Sequence, residues 1–226
     1  MTTLEIQTRL KELGFYHDTL DGVEGPNTRA AIIAFKTSVG LQARAYVGPI
    51  TRRALKRAVV LPWMAEINKV LGLHETRDNQ VLSRWLRSDG STLGDPSQLP
   101  WCGDAVETAV KRGLPNEVLP AVLQENPYWA RNWAEFGVLS GEVYGAVVSF
   151  KRGSGGHVAF LVGKNETGTL FRIRGGNQSN MVNDVWIDAE RLMPSGTRWP
   201  SSYPLSRAKP IPVLSSDGAV ISRNEA

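Results

Sequence analysis

The sequence predicts an α+β chain: an antiparallel sheet follows a run of helices, and a small three-helix unit precedes both. Three observations predict this. Residues 2–60 place apolar side chains at helical spacing between cap and turn signals. Residues 63–135 continue in helical periods broken by polar loops. From Gly145 the pattern changes to short runs of Val, Phe and Leu bounded by glycine turns. The expected units are 1–60, three helices; 61–202, the α+β domain; and 203–226, an extended C-terminal tail.

The first helix opens with Thr2 and Glu5 in capping-box spacing, continues through Ile6, Leu10 and Leu13, and ends at Gly14. Asp21-Gly22 and Glu24-Gly25 mark a loop. Pro26 and Asn27 open a second helix with Ala31, Ile32, Phe35 and Val39 on one apolar face. Gly48-Pro49 leads to a third, from Thr51 to about Val59, with Leu55 inward. Val60 to Trp63 is a short link with no Gly/Ser or Pro-rich spacer, so the units are expected to sit close together.

The second unit begins with helical patterns at Trp63–Leu71 and Asp78–Leu86, the latter with Val81, Leu82 and Trp85 on one side. A polar loop spans Arg87 to Pro100. Trp101-Cys102-Gly103-Asp104 opens a helix buried through Ala105, Val106, Ala109 and Val110, and Tyr128–Glu135 is expected to be helical too. Strands are expected at Ala146–Phe150, His157–Val162 and Thr169–Arg174. The tail, with Pro204, Pro210, Pro212 and a Ser-Ser-Asp-Gly run, is expected to be loose.

Charge narrows the partners. Residues 1–60 hold nine Lys or Arg against five Asp or Glu, which accounts for the whole net charge of +4; the rest of the chain is balanced. A basic module suits an anionic polymer. One cysteine among 226 residues excludes an internal disulfide and a Cys-rich zinc site. The longest apolar runs, such as Ala58–Ala65, are far short of the roughly 20 residues that span a bilayer. The opening MTTLEIQTRL lacks the pattern of a secretory leader, so a cytoplasmic chain is expected.

Cys102 sits at a helix start, where unpaired N–H groups stabilise a thiolate, and Gly103 beside it leaves room for a substrate backbone. Of the three histidines, His17 lies in the first unit and His74 in a polar loop. His157 heads an apolar strand behind Gly155-Gly156, with Gly156 keeping the approach open, and is the better base. If the second and third strands pair antiparallel, Asn177 comes beside His157 and orients it; on spacing alone, a turn residue after two glycines is the simpler reading of Asn177. Trp101, next to the thiol, is the expected groove residue. Gln98 and Gln178 are candidates for a second oxyanion donor. Asp89 and Asp95 lack EF-hand spacing and read as solvated loop acids. The scattered histidines disfavour zinc, and Gly153–Gly156 lacks a Walker pattern. No metal or cofactor is expected.

Trp101-Cys102, Gly145–Phe150, Gly156–Gly163 and Gly175-Gly176-Asn177-Gln178, flanked by Pro62-Trp63-Met64 and Arg198-Trp199-Pro200, together resemble CHAP-type and NlpC-type cysteine peptidoglycan hydrolases, in particular an endolysin-related branch with a GGNQ segment. The resemblance spans about residues 62–200. It implies a papain-like catalytic domain with Cys102 as nucleophile, His157 as general base and Asn177 as the orienting residue, with Trp101, Gln178 and Gly156 at the substrate. The chain departs from the family at Ala146, where Asp is common, and at Gly175, where many CHAP members carry Glu. Residues 1–60 resemble the three-helix peptidoglycan-binding domain through Leu10, Leu13-Gly14-Phe15-Tyr16, Asp21-Gly22, Gly25, Thr28, Ala31-Ile32 and Phe35, with Lys36 where Gln is usual.

The expected activity is amide hydrolysis in bacterial peptidoglycan, with stem-peptide endopeptidase favoured over N-acetylmuramoyl-L-alanine amidase. The expected setting is a monomeric endolysin made in the host cytoplasm and acting on the periplasmic wall after holin-type release. An injected antibacterial effector is the runner-up. The rival classes are a wall-binding protein that does not cut and a nucleic-acid binder; no aromatic-basic interleaving supports the latter, so no nucleic-acid partner is expected.

Overall fold

Thr2 and Glu5 close the first helix, α1 (Thr3–Glu12), reciprocally. Glu5 N–H donates to the Thr2 hydroxyl at 3.2 Å, and Thr2 N–H donates to the Glu5 carboxylate at 2.7 Å. The structure is a computed structural model and describes residues 1–16, 18–216 and 221–222. Helices α2 (Pro26–Ser38) and α3 (Pro49–Arg57) each begin with proline after a glycine cap, where the missing N–H has no helical partner to lose. Ile6, Leu10, Leu13, Tyr16, Ala31, Ile32, Phe35 and Leu55 form their common core. Gln7, fully buried, ties the Asp21-Gly22 turn to this core. Its Nε2 donates to Asp21 at 2.7 Å and its Oε1 accepts from Gly22 N–H at 2.8 Å. Val39 lies past the helix end and is exposed, not on the apolar face.

Four helices follow: α4 (Pro62–Lys69), α5 (Asn79–Leu86), α6 (Cys102–Gly113) and α7 (Ala121–Glu125). The inward face of α5 is Leu82, Trp85 and Leu86; Val81 is exposed, because the 82/85/86 spacing defines a stripe that 81 falls outside. Tyr128–Glu135 is a 3₁₀ segment over Ala130–Glu135 rather than an α-helix.

The strands are β1 (Val138–Leu139), β2 (Val147–Arg152), β3 (Gly155–Lys164), β4 (Leu170–Gln178), β5 (Met181–Asp188) and β6 (Leu192–Trp199). They form one antiparallel sheet in the order β1-β6-β2-β3-β4-β5. Val158, Phe160 and Val182 pack against α4 and α6 on one face. Ala146, Val148, Phe150, Ala159, Leu161, Ile173 and Ile187 form a second core on the other.

Among the described residues the three strands expected from sequence become six. β5 and β6 carry Asn, Asp, Pro, Ser and Gly in their runs, which hides the alternation. The expected loose tail is a packed strap over its described part. Ile211 is buried in the second core, Pro210 bridges to Val143 and Val213 to Lys164. The tail expectation for 217–220 and 223–226 lies outside the described residues. Among the described residues no helix is long and apolar enough to cross a membrane.

The end of α1 docks onto the sheet domain through its carbonyls. Asn68 Nδ2 donates to Glu12 O at 3.1 Å, the Tyr144 hydroxyl to Leu13 O at 3.0 Å and Arg174 Nη2 to Gly14 O at 2.8 Å. Cations and donors at a helix C-terminus satisfy carbonyls that have no partner within the helix. Arg174 is itself buried. It also holds Asn68 and pairs with Asp184 at 2.7 Å.

Candidate functional site

Cys102 is the first residue of α6, and Trp101 precedes it as the cap. The helix approaches closely because Gly103 has no side chain. A Cβ there would lie 2.6 Å from the Tyr128 carbonyl oxygen and 2.7 Å from that of Pro127. Burial pushes the Cys102 thiol above its ordinary pKa. The Val158 N–H, the Arg152 charge and the N–H groups of Gly103 and Cys102 act in the opposite direction. The net direction is upward, so the resting group is the protonated thiol at neutral pH. The sulfur thus lies at the helix N-terminus and at the peptide N–H that directly follows His157.

His157 is buried near the head of β3, opposite Phe150 of β2. Its Nε2 lies 2.9 Å from Oε1 of Gln178. The Gln178 amide is oriented by Asn183: Nε2 donates to the Asn183 backbone oxygen at 2.7 Å and to its side-chain oxygen at 2.9 Å. Oε1 therefore faces the imidazole as an acceptor, and His157 must carry its proton on Nε2 to donate. The unbroken β2–β3 register sets this imidazole on the face of the sheet that carries Phe150 and Ala159, while Val158, on the α6 face, is the residue whose N–H meets the thiol.

The orienting contact thus comes from Gln178 and not from Asn177. β3 and β4 pair antiparallel with Phe160 opposite Arg174, and that register carried onward would set Asn177 across from His157. The register of β4 against β5 shifts between Gly175 and Gln178, and Asn177 takes a left-handed φ of 57°. This bulge redirects Asn177 and brings Gln178 onto the imidazole. Gln178 is fully buried and its amide engaged, so it neither meets substrate nor donates to an oxyanion. Gln98 is exposed.

Trp101 does not line a groove. It is 1% exposed, donates from Nε1 to Glu75 at 2.8 Å, and lays its ring on the Gly176 backbone, where any Cβ would collide with it. Gly175 packs likewise against the Ala159 Cβ, at 2.8 Å from its own would-be Cβ. The paired glycines therefore let β4 approach both α6 and β3. Gly156 stays partly open beside Ala130 and Arg131. His74 is absorbed in a turn, its Nδ1 accepting from Thr76 N–H at 3.1 Å, and His17 lies outside the described residues.

Sequence reasoning missed the segment 127–131. Its carbonyls at 127 and 128 abut Gly103 beside the thiol, and Ala130 and Arg131 abut Gly156 beside His157. Trp129, between them, is 45% exposed. Arg131 fixes the β2–β3 turn by donating to Gly155 O at 2.7 Å and to Gly153 O at 2.8 Å. The helical reading of Tyr128–Glu135 carries no sign that the start of this segment lies beside the thiol, because that contact is made between residues far apart in sequence.

Behind Cys102, α6 buries Asp104 and Glu107. Asp104 accepts from Thr92 Oγ1 at 2.9 Å and Leu93 N–H at 3.0 Å. Burial pushes its pKa up to about 6; these two donors oppose that, and the Glu107 and Asp89 charges add to it. Lys111 offsets part of the negative charge through a 2.5 Å contact with Glu107. Asp95 instead accepts from Asn79 at 2.8 Å and from Ser97 at the surface. Among the described residues no group of three or more His, Cys, Asp or Glu is placed to hold a metal ion.

Comparison with known proteins bears on the first unit. Residues 3–55 match the family described as "Putative peptidoglycan binding domain". The chain therefore carries an N-terminal peptidoglycan-binding domain, joined to an α+β domain with an antiparallel sheet. A curated relative, the "Putative OxPP cycle protein OpcA" of Synechococcus elongatus, is 44% identical over 54 residues. That stretch is 24% of this chain and 12% of that protein, so the likeness is confined to one short unit. No solved structure matches.

Proposed function

We propose that this protein is a peptidoglycan hydrolase of the CHAP/NlpC type, with a papain-like domain that cleaves wall amide bonds through Cys102 and His157. The observation that carries the reading is that the protein's one thiol begins α6 with the Val158 N–H against its sulfur, one residue past His157, whose Nε2 is held by Gln178 and Asn183. The wall-binding first unit supplies the matching polymer.

In this mechanism the His157 imidazole removes the proton from the Cys102 thiol, and the sulfur attacks the amide carbonyl carbon. The imidazolium then protonates the leaving nitrogen as the C–N bond breaks. Water, deprotonated by the same imidazole, attacks the thioester; the sulfur leaves and takes that proton back, so the thiol is restored. Backbone N–H at the start of α6 stabilises the oxyanion. Gln178 acts through His157 as a positioning residue. Stem-peptide endopeptidase is favoured over amidase, and the endolysin setting, with release to the periplasmic wall, fits both.

The test is digestion of purified sacculi by the full chain and by Cys102→Ala, with mass spectrometry of the soluble products. Shortened or uncrosslinked stems mean endopeptidase, and intact freed stems mean amidase. Equal release by the variant would sink the mechanism. The burial of the thiol and the place of the His157 imidazole on the other face of the sheet favour one second reading, a wall-binding protein that does not cut, and the same experiment separates the two.

A further inference from the structure

A groove of about 690 Å³ runs along the junction of the two units. Phe15 and Phe35 from the three-helix unit and Leu61 and Tyr144 from the sheet domain contribute its apolar floor. Its rim carries three cations, Arg57, Arg207 and Lys209, against one carboxylate, Glu12, which is already paired with Arg9 at 2.6 Å. Arg57 and Lys209 are exposed and come from opposite units. The walls are held together by the donors from Asn68, Tyr144 and Arg174 to the end of α1, so neither unit forms the groove alone.

We infer that this groove binds the stem peptide of peptidoglycan, with its carboxylates against Arg57 and Lys209 and its aliphatic side chains over the floor. Charge complementarity selects the peptide: the wall's sugar chain is largely uncharged, whereas each stem carries free carboxylates. The floor offers little free ring face to a sugar: Phe35 is 1% exposed, and Phe15 and Tyr144 stack on each other at 6.2 Å and 14°, which covers one face of each. The volume lies within the range of ordinary ligand clefts, roughly 300–1,000 Å³. The inference rests on the wall-binding reading of residues 3–55 and not on the cleavage reading.

The test uses the full chain carrying Cys102→Ala, so that the wall stays intact, and measures co-sedimentation with purified sacculi. Arg57→Glu with Lys209→Glu is expected to weaken binding at least tenfold. Arg53→Glu with Lys56→Glu, the same charge change outside the groove lining, is expected to stay within twofold. A synthetic stem pentapeptide is expected to compete with sacculi, and a peptide-free chitin oligosaccharide is not. Equal losses in both charge pairs, no loss in either, or competition by the sugar alone would overturn the groove while leaving wall binding intact. A parent chain that fails to sediment would overturn both.

Discussion

Gln178 Oε1 lies 2.9 Å from Nε2 of His157, while the same amide's Nε2 is held by Asn183. This polarity sets which imidazole nitrogen carries the proton. Replacing Gln178 by Leu removes the acceptor and frees the ring to take the other tautomer. Sacculus digestion is expected to fall by roughly 10²-fold in kcat, the lower range of general acid–base contributions. Asn177→Gly keeps the left-handed backbone and removes only the side chain, so its rate is expected to stay within a few-fold of wild type. A larger loss at 177 than at 178 would return the orienting role to Asn177.

Much of this arrangement was legible in the sequence because it depends on local signals. The Thr2/Glu5 box, the helix start at Cys102 and the apolar run after His157 each follow from spacing and burial pattern. What failed was the last step along β4. A period-2 reading assumes an unbroken pleat, and the bulge at Gly175–Gln178 moves the functional face by one residue. Trp101 misled for a related reason. Adjacency to the thiol in sequence says nothing about which way a helix cap turns, and here the ring turns inward onto Gly176. The strands β5 and β6 were hidden by polar residues, and the place of Trp129 near the thiol by its resting on contacts distant in sequence.

The contact between Trp101 and Gly176 makes a stability prediction. A methyl at 176 enters the indole ring and lies 2.8 Å from Ala105 Cβ of α6. Neither neighbour is a flexible chain end. Gly176→Ala is expected to cost about 1–3 kcal/mol, the usual range for overpacking, measured by urea unfolding. An unchanged midpoint would show that β4 and α6 are less tightly apposed.

Asp104 predicts a pH dependence. Its folded pKa of about 6 exceeds the ordinary 3.8, so the folded state holds the proton more tightly. Stability from this group is fully present below about pH 4, declines as pH rises through 6, and is flat above. Asp104→Asn removes the buried charge and keeps an oxygen for Leu93 N–H and Thr92 Oγ1. The variant is expected to be more stable than wild type at pH 8, by up to about 3 kcal/mol, with the advantage lost at pH 4. Urea unfolding at the two pH values checks this. A destabilised variant at pH 8 would mean that the carboxylate's hydrogen bonds outweigh its burial.

Arg174 predicts how the two units respond to loss of their junction. The guanidinium is 1% exposed and joins Asp184, Asn68 and Gly14 O across three elements. Arg174→Met removes one partner of a buried ion pair and is expected to cost roughly 3–5 kcal/mol. Because Gly14 belongs to the first unit, the loss is also expected to speed protease cleavage between Ala58 and Leu61. Unchanged cleavage with lowered stability would confine the role of Arg174 to the sheet domain.

Cys102 offers the most direct view of the resting site. Burial raises its thiol pKa, and the Arg152 charge is among the influences that lower it. A raised pKa means little thiolate at pH 7, so alkylation by iodoacetamide is expected to be slower than for a free cysteine and to climb as pH rises past the ordinary thiol range. Arg152→Gln removes the favourable charge and is expected to slow alkylation further at pH 8, with no comparable effect from Lys151→Gln, whose side chain is exposed on the same strand. Alkylation faster than free cysteine at pH 6 would mean instead that a thiolate–imidazolium pair already exists before substrate arrives. His157 would then act first as the acid that protonates the leaving nitrogen, and not as the base that activates the sulfur.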